Sequence, residues 1–435
     1  MPHLPRTAPV DTRIAPVAPR TDPAAVRAAP VAASALPAPP PPPAAGPPAA
    51  PARTVSWEEA RTRAHGAARP PAGRSVPLRE AAGRTLAEDL RARHPLPAFD
   101  SAAMDGFAVA GGPGPWTVRG AVRAGAPWAG ELGPGDCVEI STGACVPPGA
   151  HAVLPLEGAS VSGHRVAGYV QLPGRHVRKA GEDAWAGECL APAGTPVGPE
   201  LTGLAAACGH DALTVRPQPR VAVLVTGDEL DHAGVPAAGR VRDALGPLLP
   251  GLIDRLGGEH VALRHVPDRP AGRLAEELDR LGGADVVVVT GSTSVGVTDR
   301  LRRALADGGA RLVVDTVACR PGHPMLLAEL PTARWLVGLP GNPYAALVAA
   351  RTLLGPLLAG LSGQTLGPLP RMPVRGRLRA APGVTRVVPV SWAGGDARIV
   401  EGDRAAFLRG AAVGDALAAI GPEWAEGDLA PLLLP

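Results

Sequence analysis

The sequence predicts a multidomain α/β protein. Its central domain is a βαβ unit with a parallel sheet, accompanied by smaller β-rich domains and a C-terminal β-barrel-like domain. At 435 residues the chain is too long for one ordinary core. From residue 220 onward, apolar runs of strand length alternate with stretches of helix length. Short β-like runs between Gly and Pro turns occupy residues 110–170 and 368–435, as is typical of small β domains.

The first 53 residues differ in composition from everything that follows. They are dominated by Pro and Ala and include an unbroken run from Pro39 to Pro43, so we expect a disordered or polyproline-like tail. The tail carries five Arg and two Asp, which account for the whole net charge of +3, and the remaining body is neutral. A neutral body argues against an extended surface for nucleic acid.

The sequence also gives expectations about cellular location. The start has no apolar signal-peptide core, and no uninterrupted apolar run reaches the roughly 18 residues that a membrane span needs. The five cysteines are scattered and form no C-x-x-C pair, which favours reduced thiols over a disulfide framework or a zinc site. We therefore expect a cytoplasmic protein that binds neither nucleic acid nor membrane.

Changes in composition and in apolar spacing divide the chain. After the tail (1–53), the predicted parts are an N-terminal helical and linker domain (54–109 and 171–216), a small β domain (110–170), an α/β domain (217–363) and a C-terminal β domain (364–435). Ser56 and Glu59 form a capping box that opens a helix through about Ala68. A second helix is predicted from about Leu78, after a short strand, and a third over residues 199–210.

Three polar residues of the first half lie in turns next to short strands. Asp105 precedes Gly106 at the start of an aromatic-led strand, where Gly would let the chain pass close to a ligand. The same Asp-Gly pair is typical of a hairpin turn without any ligand. Thr142 ends a strand, and its hydroxyl would bond either a ligand or its own turn. Asp183 lies in a Gly-marked loop beside Lys179, the only lysine of the chain.

The α/β domain is predicted as an alternation of strands and helices. Strands are expected at 220–226, 261–266, 284–290 and 311–317, and helices near 243–256, 271–282, 299–307 and 343–360. Glu229, Asp268 and Asp299 each follow one of the first three strands. Because the carboxyl ends of parallel strands form one edge of a sheet, we expect these acids to converge at a ligand site.

The turn after the third strand has the composition of an anion-binding loop. Gly291, Ser292, Ser294 and Gly296 allow a sharp turn, and Asp299 opens a helix. The free N–H groups at the start of that helix favour an anion. Asp299 is also a favourable helix-start acid without any further role, and this stretch alone leaves both interpretations open.

A second anion-ready turn is predicted near the end of the same domain. Arg320 begins the rigid turn R-P-G-H-P, and Pro340 belongs to the turn G-L-P-G-N-P, which opens a long helix. Asn342 would be the N-cap of this helix and Pro343 its first residue. Two tight turns without a ligand would explain the prolines, but not two helix N-termini at one sheet edge.

Together these stretches resemble the molybdopterin molybdenumtransferase (MoeA-like) family, to which the E domain of gephyrin is similar. The resemblance runs from about Val55 to the C-terminus, with the motifs in the family's order. DSAAMDGFAV resembles the family's N-S-A-M-D-G-Y-A-V, and GLPGNP matches its G-L-P-G-N-P outright. RKAGED resembles R-x-x-G-E-D, VTGDEL resembles S-T-G-D-E-L, and GSTSVGVTD resembles G-G-V-S-V-G-x-x-D. Five motifs in register are a specific signal.

The resemblance implies a homodimer of elongated four-domain subunits. Its active site would lie between the molybdopterin-binding βαβ domain of one subunit and the small β domain of the other. The implied reaction takes molybdate and adenylylated molybdopterin, uses Mg²⁺, inserts molybdenum and releases AMP. Implied protein partners are a molybdopterin adenylyltransferase and molybdoenzymes.

The resemblance also implies a role for each matching residue. The catalytic set would be Asp105, Thr142, Asp183, Glu229, Asp268 and Asp299, of which Glu229, Asp268 and Asp299 would bind Mg²⁺. The pterin nucleotide would contact Gly291, Ser292, Ser294, Gly296, Arg320, Pro340, Asn342 and Pro343. Hard carboxylates suit Mg²⁺ and helix N-termini suit phosphate, so these assignments are chemically consistent.

The sequence departs from the family in the rigid turn and the segment before it, where Thr316, Arg320 and His323 stand in place of lysines. Thr316 lacks the charge, and histidine is only partly cationic near neutral pH. A second interpretation is therefore a non-catalytic, pterin-binding or scaffold paralogue of the same fold. A third is the sister enzyme that adenylylates the pterin, which would share the βαβ domain but would not need the flanking β domains.

Overall fold

The structure is a computed structural model that describes residues 54–169, 171–268, 272–291, 300–379 and 381–435. The predicted tail and four of the predicted site residues, Ser292, Ser294, Gly296 and Asp299, lie outside the described residues. The predictions for them therefore stay predictions.

The first helix, Trp57–Ala67, begins where the capping box predicted it. The Ser56 hydroxyl accepts a hydrogen bond from the Glu59 N–H at 3.1 Å, which satisfies one of the free donors of the first turn. Trp57, Ala60 and Ala64 share one face and are buried. A Cβ on Gly360 would lie 2.3 Å from the His65 carbonyl oxygen. Glycine at this position therefore lets the long C-terminal helix of the α/β domain pack closely against the helix Trp57–Ala67.

The rest of the N-terminal part is built from short elements. Strands Arg74–Pro77, Ala212–Arg216 and Thr85–Leu86 form a three-stranded antiparallel sheet. The helix predicted from Leu78 is a single turn, Leu78–Ala81, because the chain soon enters the left-handed region at Gly83 (φ 76°). The remaining elements are two strand pairs, Leu90–Arg91 with Cys189–Ala191 and Ser101–Ala102 with Val177–Arg178, and the helix Pro199–Ala207.

The small β domain is a six-stranded sheet. Its spatial order is Ala159–Ser162, Arg165–Gly168, Trp116–Val122, Asp136–Ile140, Gly106–Ala110 and Ala150–Pro155. The strand that begins at Gly106 thus pairs in this sheet, although the predicted boundary at residue 110 leaves it out.

The central sheet has six strands, in the order Glu259–Val266, Arg220–Thr226, Val286–Thr290, Trp335–Leu339, Leu326–Glu329 and Arg311–Val314. The first four are parallel to one another. Leu326–Glu329 runs antiparallel to both of its neighbours, so the edge strand Arg311–Val314 has the same direction as the first four. The sheet is therefore parallel, as predicted, except at Leu326–Glu329, which non-helical segments connect to its two neighbours. The predicted strand 311–317 also breaks after Val314, since Thr316–Val317 pairs with Thr54–Val55 instead.

Helices cover both faces of this sheet. They are Leu245–Arg255, Arg273–Arg280, Arg300–Asp307 and a continuous run over 343–362 that contains a π-helical turn, Ala350–Leu354. The 343–362 helix is long and apolar enough to cross a membrane, but 72% of its most apolar window is buried within the fold. It is therefore a core helix.

The C-terminal domain is a closed barrel of five strands: Arg371–Arg375, Thr385–Ala393, Asp396–Ile399, Ala416–Ile420 and Leu429–Leu433. It closes because Thr385–Ala393 pairs with both Asp396–Ile399 and Ala416–Ile420. Its helix, Arg409–Val413, lies later in the chain than the predicted 404–411. The predicted fold class, a multidomain α/β protein with a C-terminal barrel, is confirmed.

Candidate functional site at the carboxyl edge of the central sheet

Asp105 and Thr142 are in direct contact. The Asp105 Oδ1 atom accepts hydrogen bonds from the Thr142 backbone N–H at 2.6 Å and from its hydroxyl at 3.0 Å. These two bonds hold the pKa of the exposed Asp105 carboxyl below its usual range, so the group stays ionised. The Thr142 hydroxyl therefore orients a carboxylate, which neither of the two interpretations from sequence had foreseen.

Gly106 serves the sheet rather than a ligand. It lies inside a strand and pairs with Ile140 on one side and Pro155 on the other, so it is not a central residue of a hairpin turn. A Cβ at this position would lie 2.1 Å from the Leu154 carbonyl oxygen. The close approach inferred from sequence is real, but the neighbour is backbone. Asp105 is thereby placed at the end of a tightly packed strand.

Asp183 lies in an exposed loop that Asp100 holds in place. The Asp100 carboxylate accepts from the Lys179 ammonium group at 2.7 Å and from the Ala180 N–H at 2.9 Å. The Asp183 N–H donates to the Leu96 carbonyl at 2.9 Å. Asp105, Thr142 and Asp183 thus take their hydrogen-bond partners from within the N-terminal half.

The second group of acids lies where the strands of the central sheet end. The Asp228 Oδ1 atom accepts the Asp268 N–H at 2.8 Å, which joins the ends of two adjacent strands. Glu229 is exposed, and its carboxylate folds over Gly227, where a Cβ would lie 2.9 Å from Oε2. Sequence reasoning missed Asp228, although its position directly before Glu229 was the available signal.

The G-L-P-G-N-P turn lies beside Gly291 at this edge. Gly291 adopts φ 74°, and its N–H donates to the Leu339 carbonyl at 3.0 Å. A Cβ on Gly341 would lie 3.6 Å from the Gly291 Cα, so the two glycines are close neighbours. Asn342 occupies the N-cap position with no side-chain capping bond, and Pro343 is the first helical residue.

A cleft of about 390 Å³ opens next to the G-L-P-G-N-P turn. Arg320, Gly322, His323, Pro340 and Asn342 line one side of it. The other side comes from the C-terminal barrel region and includes Arg386, Asp403 and Arg404.

Parallel pairing of Cys319–Arg320 with Thr385–Arg386 brings the two sides of the cleft together. Arg386 forms an ion pair with Asp403, and Arg404 is exposed. Sequence analysis did not identify these two arginines, which lie more than 60 positions beyond the rigid turn.

Thr316 does not face this cleft. Its side chain is buried, and its hydroxyl lies 2.8 Å from that of Thr54. His323 lines the cleft, and its Nδ1–H donates to the Val317 carbonyl at 2.7 Å. The cleft therefore has three guanidinium groups, one imidazole and one carboxylate, and it suits an oxyanion.

A larger cavity, of about 690 Å³, lies at the opposite edge of the central sheet. Its lining includes Arg74, Arg220, Asp285 and Trp335, near the amino ends of the strands. Arg220 and Asp285 are hydrogen-bonded to each other, because the Arg220 backbone N–H donates to the Asp285 carboxylate at 2.7 Å. Because ligands of such sheets bind at the carboxyl ends of the strands, volume alone does not make this cavity the site.

Comparisons with known proteins match both halves of the chain. Residues 55–209 match the model of the MoeA N-terminal region (domain I and II), and residues 222–360 match that of a probable molybdopterin binding domain. The molybdopterin molybdenumtransferase of Haemophilus influenzae is 33% identical over 66% of this chain and 72% of its own length. That of Synechococcus elongatus is 34% identical over 68% of this chain and 77% of its own length.

The fold is also similar to a solved structure. The crystal structure of a molybdopterin biosynthesis MoeA protein from Pyrococcus horikoshii superposes with a TM-score of 0.68 at 26% identity. The match covers 88% of this chain and 99% of that one. The likeness therefore extends over nearly all of the described residues.

Proposed function

Because the chain belongs to the molybdopterin molybdenumtransferase family, whose members act in molybdenum cofactor biosynthesis, we propose that it inserts molybdenum from molybdate into adenylylated molybdopterin and releases AMP. The observation that carries this proposal is the cationic cleft beside the G-L-P-G-N-P turn. Molybdate and the phosphates of the pterin nucleotide are oxyanions, for which guanidinium groups and helix N-termini supply donors.

Other cationic side chains of the cleft compensate for the lysines that the sequence lacks in and before the rigid turn. Of the three positions without lysine, Thr316 is turned into the core, while Arg320 and His323 line the cleft. Arg386 and Arg404 add two guanidinium groups from the C-terminal barrel region. The total cationic character of the cleft thus supports binding of an oxyanion despite the missing lysines.

Besides an oxyanion site, the proposed reaction needs ligands for Mg²⁺, and the acids at the strand ends supply them. Asp228, Glu229 and Asp268 offer carboxylate oxygens at one sheet edge, and such oxygens are the ligands that Mg²⁺ prefers. Glu229, Asp268 and Asp299 would hold the ion, which would neutralise the phosphates as the phosphoanhydride is cleaved. Gly291, Ser292, Ser294 and Gly296 would bind the pterin nucleotide with Pro340, Asn342 and Pro343.

Asp105, Thr142 and Asp183 would reach the site from another subunit. Within one chain they belong to the N-terminal half, whereas Glu229 and Asp268 belong to the α/β domain. A twofold homodimer would bring the small β domain of one subunit to the βαβ domain of its partner. We place this dimer in the cytoplasm, with a molybdopterin adenylyltransferase as the supplier of the pterin nucleotide.

The test is AMP release by the purified chain given adenylylated molybdopterin, Mg²⁺ and molybdate. We expect release that depends on molybdate, and Arg404→Ala should raise the molybdate concentration for half-maximal rate roughly tenfold, the effect of losing one charge-assisted hydrogen bond. Arg398→Ala, which removes another exposed arginine of the barrel, should leave it unchanged. Pterin binding without any AMP release would instead support the non-catalytic paralogue.

A further inference from the structure

His232, Asp243 and His265 form a compact cluster beside the strand-end acids. Their nearest ligand atoms all lie within 4.8 Å of one another, and this is the one such group of three among the residues the structure describes. The Asp243 Oδ2 atom is 2.9 Å from His265 Nε2 and 3.8 Å from His232 Nδ1. We propose that these three side chains bind one divalent first-row transition-metal ion of the Zn²⁺ class.

The carboxylate is fixed in the orientation that a metal ligand needs. Asp243 Oδ1 accepts the N–H groups of Leu245 and Gly246, each at 2.9 Å, which leaves Oδ2 directed at the two imidazoles. The Asp243 side chain is only 4% exposed. Because two backbone donors already fix this buried carboxylate, it loses little conformational entropy when an ion binds.

The two imidazoles lie side by side, with ring centroids 3.6 Å apart. A metal ion would take the place of the proton between His265 Nε2 and Asp243 Oδ2, and its binding would release that proton. For tetrahedral Zn²⁺, metal–ligand distances near 2.0–2.1 Å put neighbouring ligand atoms roughly 3.3 Å apart, a spacing between the two observed distances.

Space for the ion is kept by Gly246. A Cβ there would lie 2.3 Å from Asp243 Oδ2 and 3.5 Å from His265 Nε2, so any side chain would intrude on the cluster. The His232 and His265 side chains are 49% and 34% exposed, which gives an ion access from solvent and room for a water ligand.

The ligand set selects the class of ion. Two imidazole nitrogens and one carboxylate oxygen suit Zn²⁺, Co²⁺ or Fe²⁺, whereas Mg²⁺ prefers oxygen ligands alone. The site is therefore distinct from the Mg²⁺ site proposed at the acids. An ion here would tie the loop that follows Glu229 to the strand that leads to Asp268.

The test is a titration of the metal-free, full-length protein with Co²⁺, followed by visible absorption without pterin or molybdate. We expect one Co²⁺ per chain, with ligand-field bands typical of nitrogen and oxygen ligands, displaced by Zn²⁺ and unaffected by excess Mg²⁺. His232→Ala should weaken binding by more than about a hundredfold, because losing only an outer hydrogen-bond partner already costs about 10- to 100-fold. His265→Gln should do the same.

His164→Ala is the matched control, since it removes an exposed histidine of the small β domain. It should bind Co²⁺ like the wild type. Thermal unfolding of each metal-free variant checks the fold, and His232 lies in an exposed loop whose truncation should not lower stability. Absence of Co²⁺ binding by the wild type, unchanged binding by both ligand variants, or an intense thiolate charge-transfer band would overturn the proposal. None of these outcomes depends on AMP release.

Discussion

Replacing Asp105 with asparagine is expected to lower AMP release at least about a hundredfold, the typical cost of removing one preorganised polar group from a catalytic site. Asparagine keeps an oxygen that can accept from the Thr142 N–H and hydroxyl, so the local geometry is retained. What is lost is a charge that those two bonds keep ionised by lowering the pKa of Asp105. The measurement is the rate of AMP release at saturating molybdate.

Asp136→Asn is the matched control for this variant. Asp136 lies in the same sheet and pairs with Arg119 at 2.7 Å, so its replacement also removes one carboxylate charge from the small β domain. We expect it to release AMP at the wild-type rate. Equal activity of Asp105→Asn and the wild type would remove Asp105 from the site.

Replacing Trp57 with alanine is expected to lower the free energy of unfolding by about 3–5 kcal/mol, the usual cost of truncating a fully buried aromatic side chain. Trp57 is 2% exposed, and its indole N–H donates to the Thr352 hydroxyl at 3.0 Å. Thr352 lies in the π-helical turn of the long helix, so the contact joins the N-terminal helix to the α/β domain. Denaturation by urea measures the change.

Two variants separate packing from the hydrogen bond. Thr352→Val should cost about 1–3 kcal/mol, because it leaves a buried indole N–H without an acceptor. Trp185→Ala, at a tryptophan that is 65% exposed, should change stability by no more than about 0.5 kcal/mol. If Trp57→Ala unfolded at the same urea concentration as Trp185→Ala, the first helix would not be an integral part of the core.

The sequence was most informative where local composition determines structure. The strand 220–226 has the predicted bounds, because a run of apolar, mostly β-branched residues covered on both faces has few other solutions. The helix after Ser56 was also recognisable from its cap. The strand Leu326–Glu329 was missed, since it follows a turn rather than a helix and interrupts the alternation that the prediction relied on.

The site was predictable only in part, because some of its residues come together through contacts between distant segments. Motifs identified Asp105 and Glu229, which lie next to glycines, and Asp268 was found from its place after a predicted strand. Arg386 and Arg404 carry no such mark and reach the cleft through strand pairing between segments 66 residues apart, Arg320 with Arg386. Local sequence patterns do not encode contacts of this kind.

The central claim is that acids from two subunits complete one active site. The direct measurement uses two variants with different affinity tags, Asp105→Asn and Asp268→Asn, each inactive alone. In their purified heterodimer, one of the two sites combines an intact small β domain with an intact βαβ domain. Symmetry therefore predicts about half of the wild-type rate of AMP release. A heterodimer as inactive as its parents would contradict the claim and place each site within a single chain.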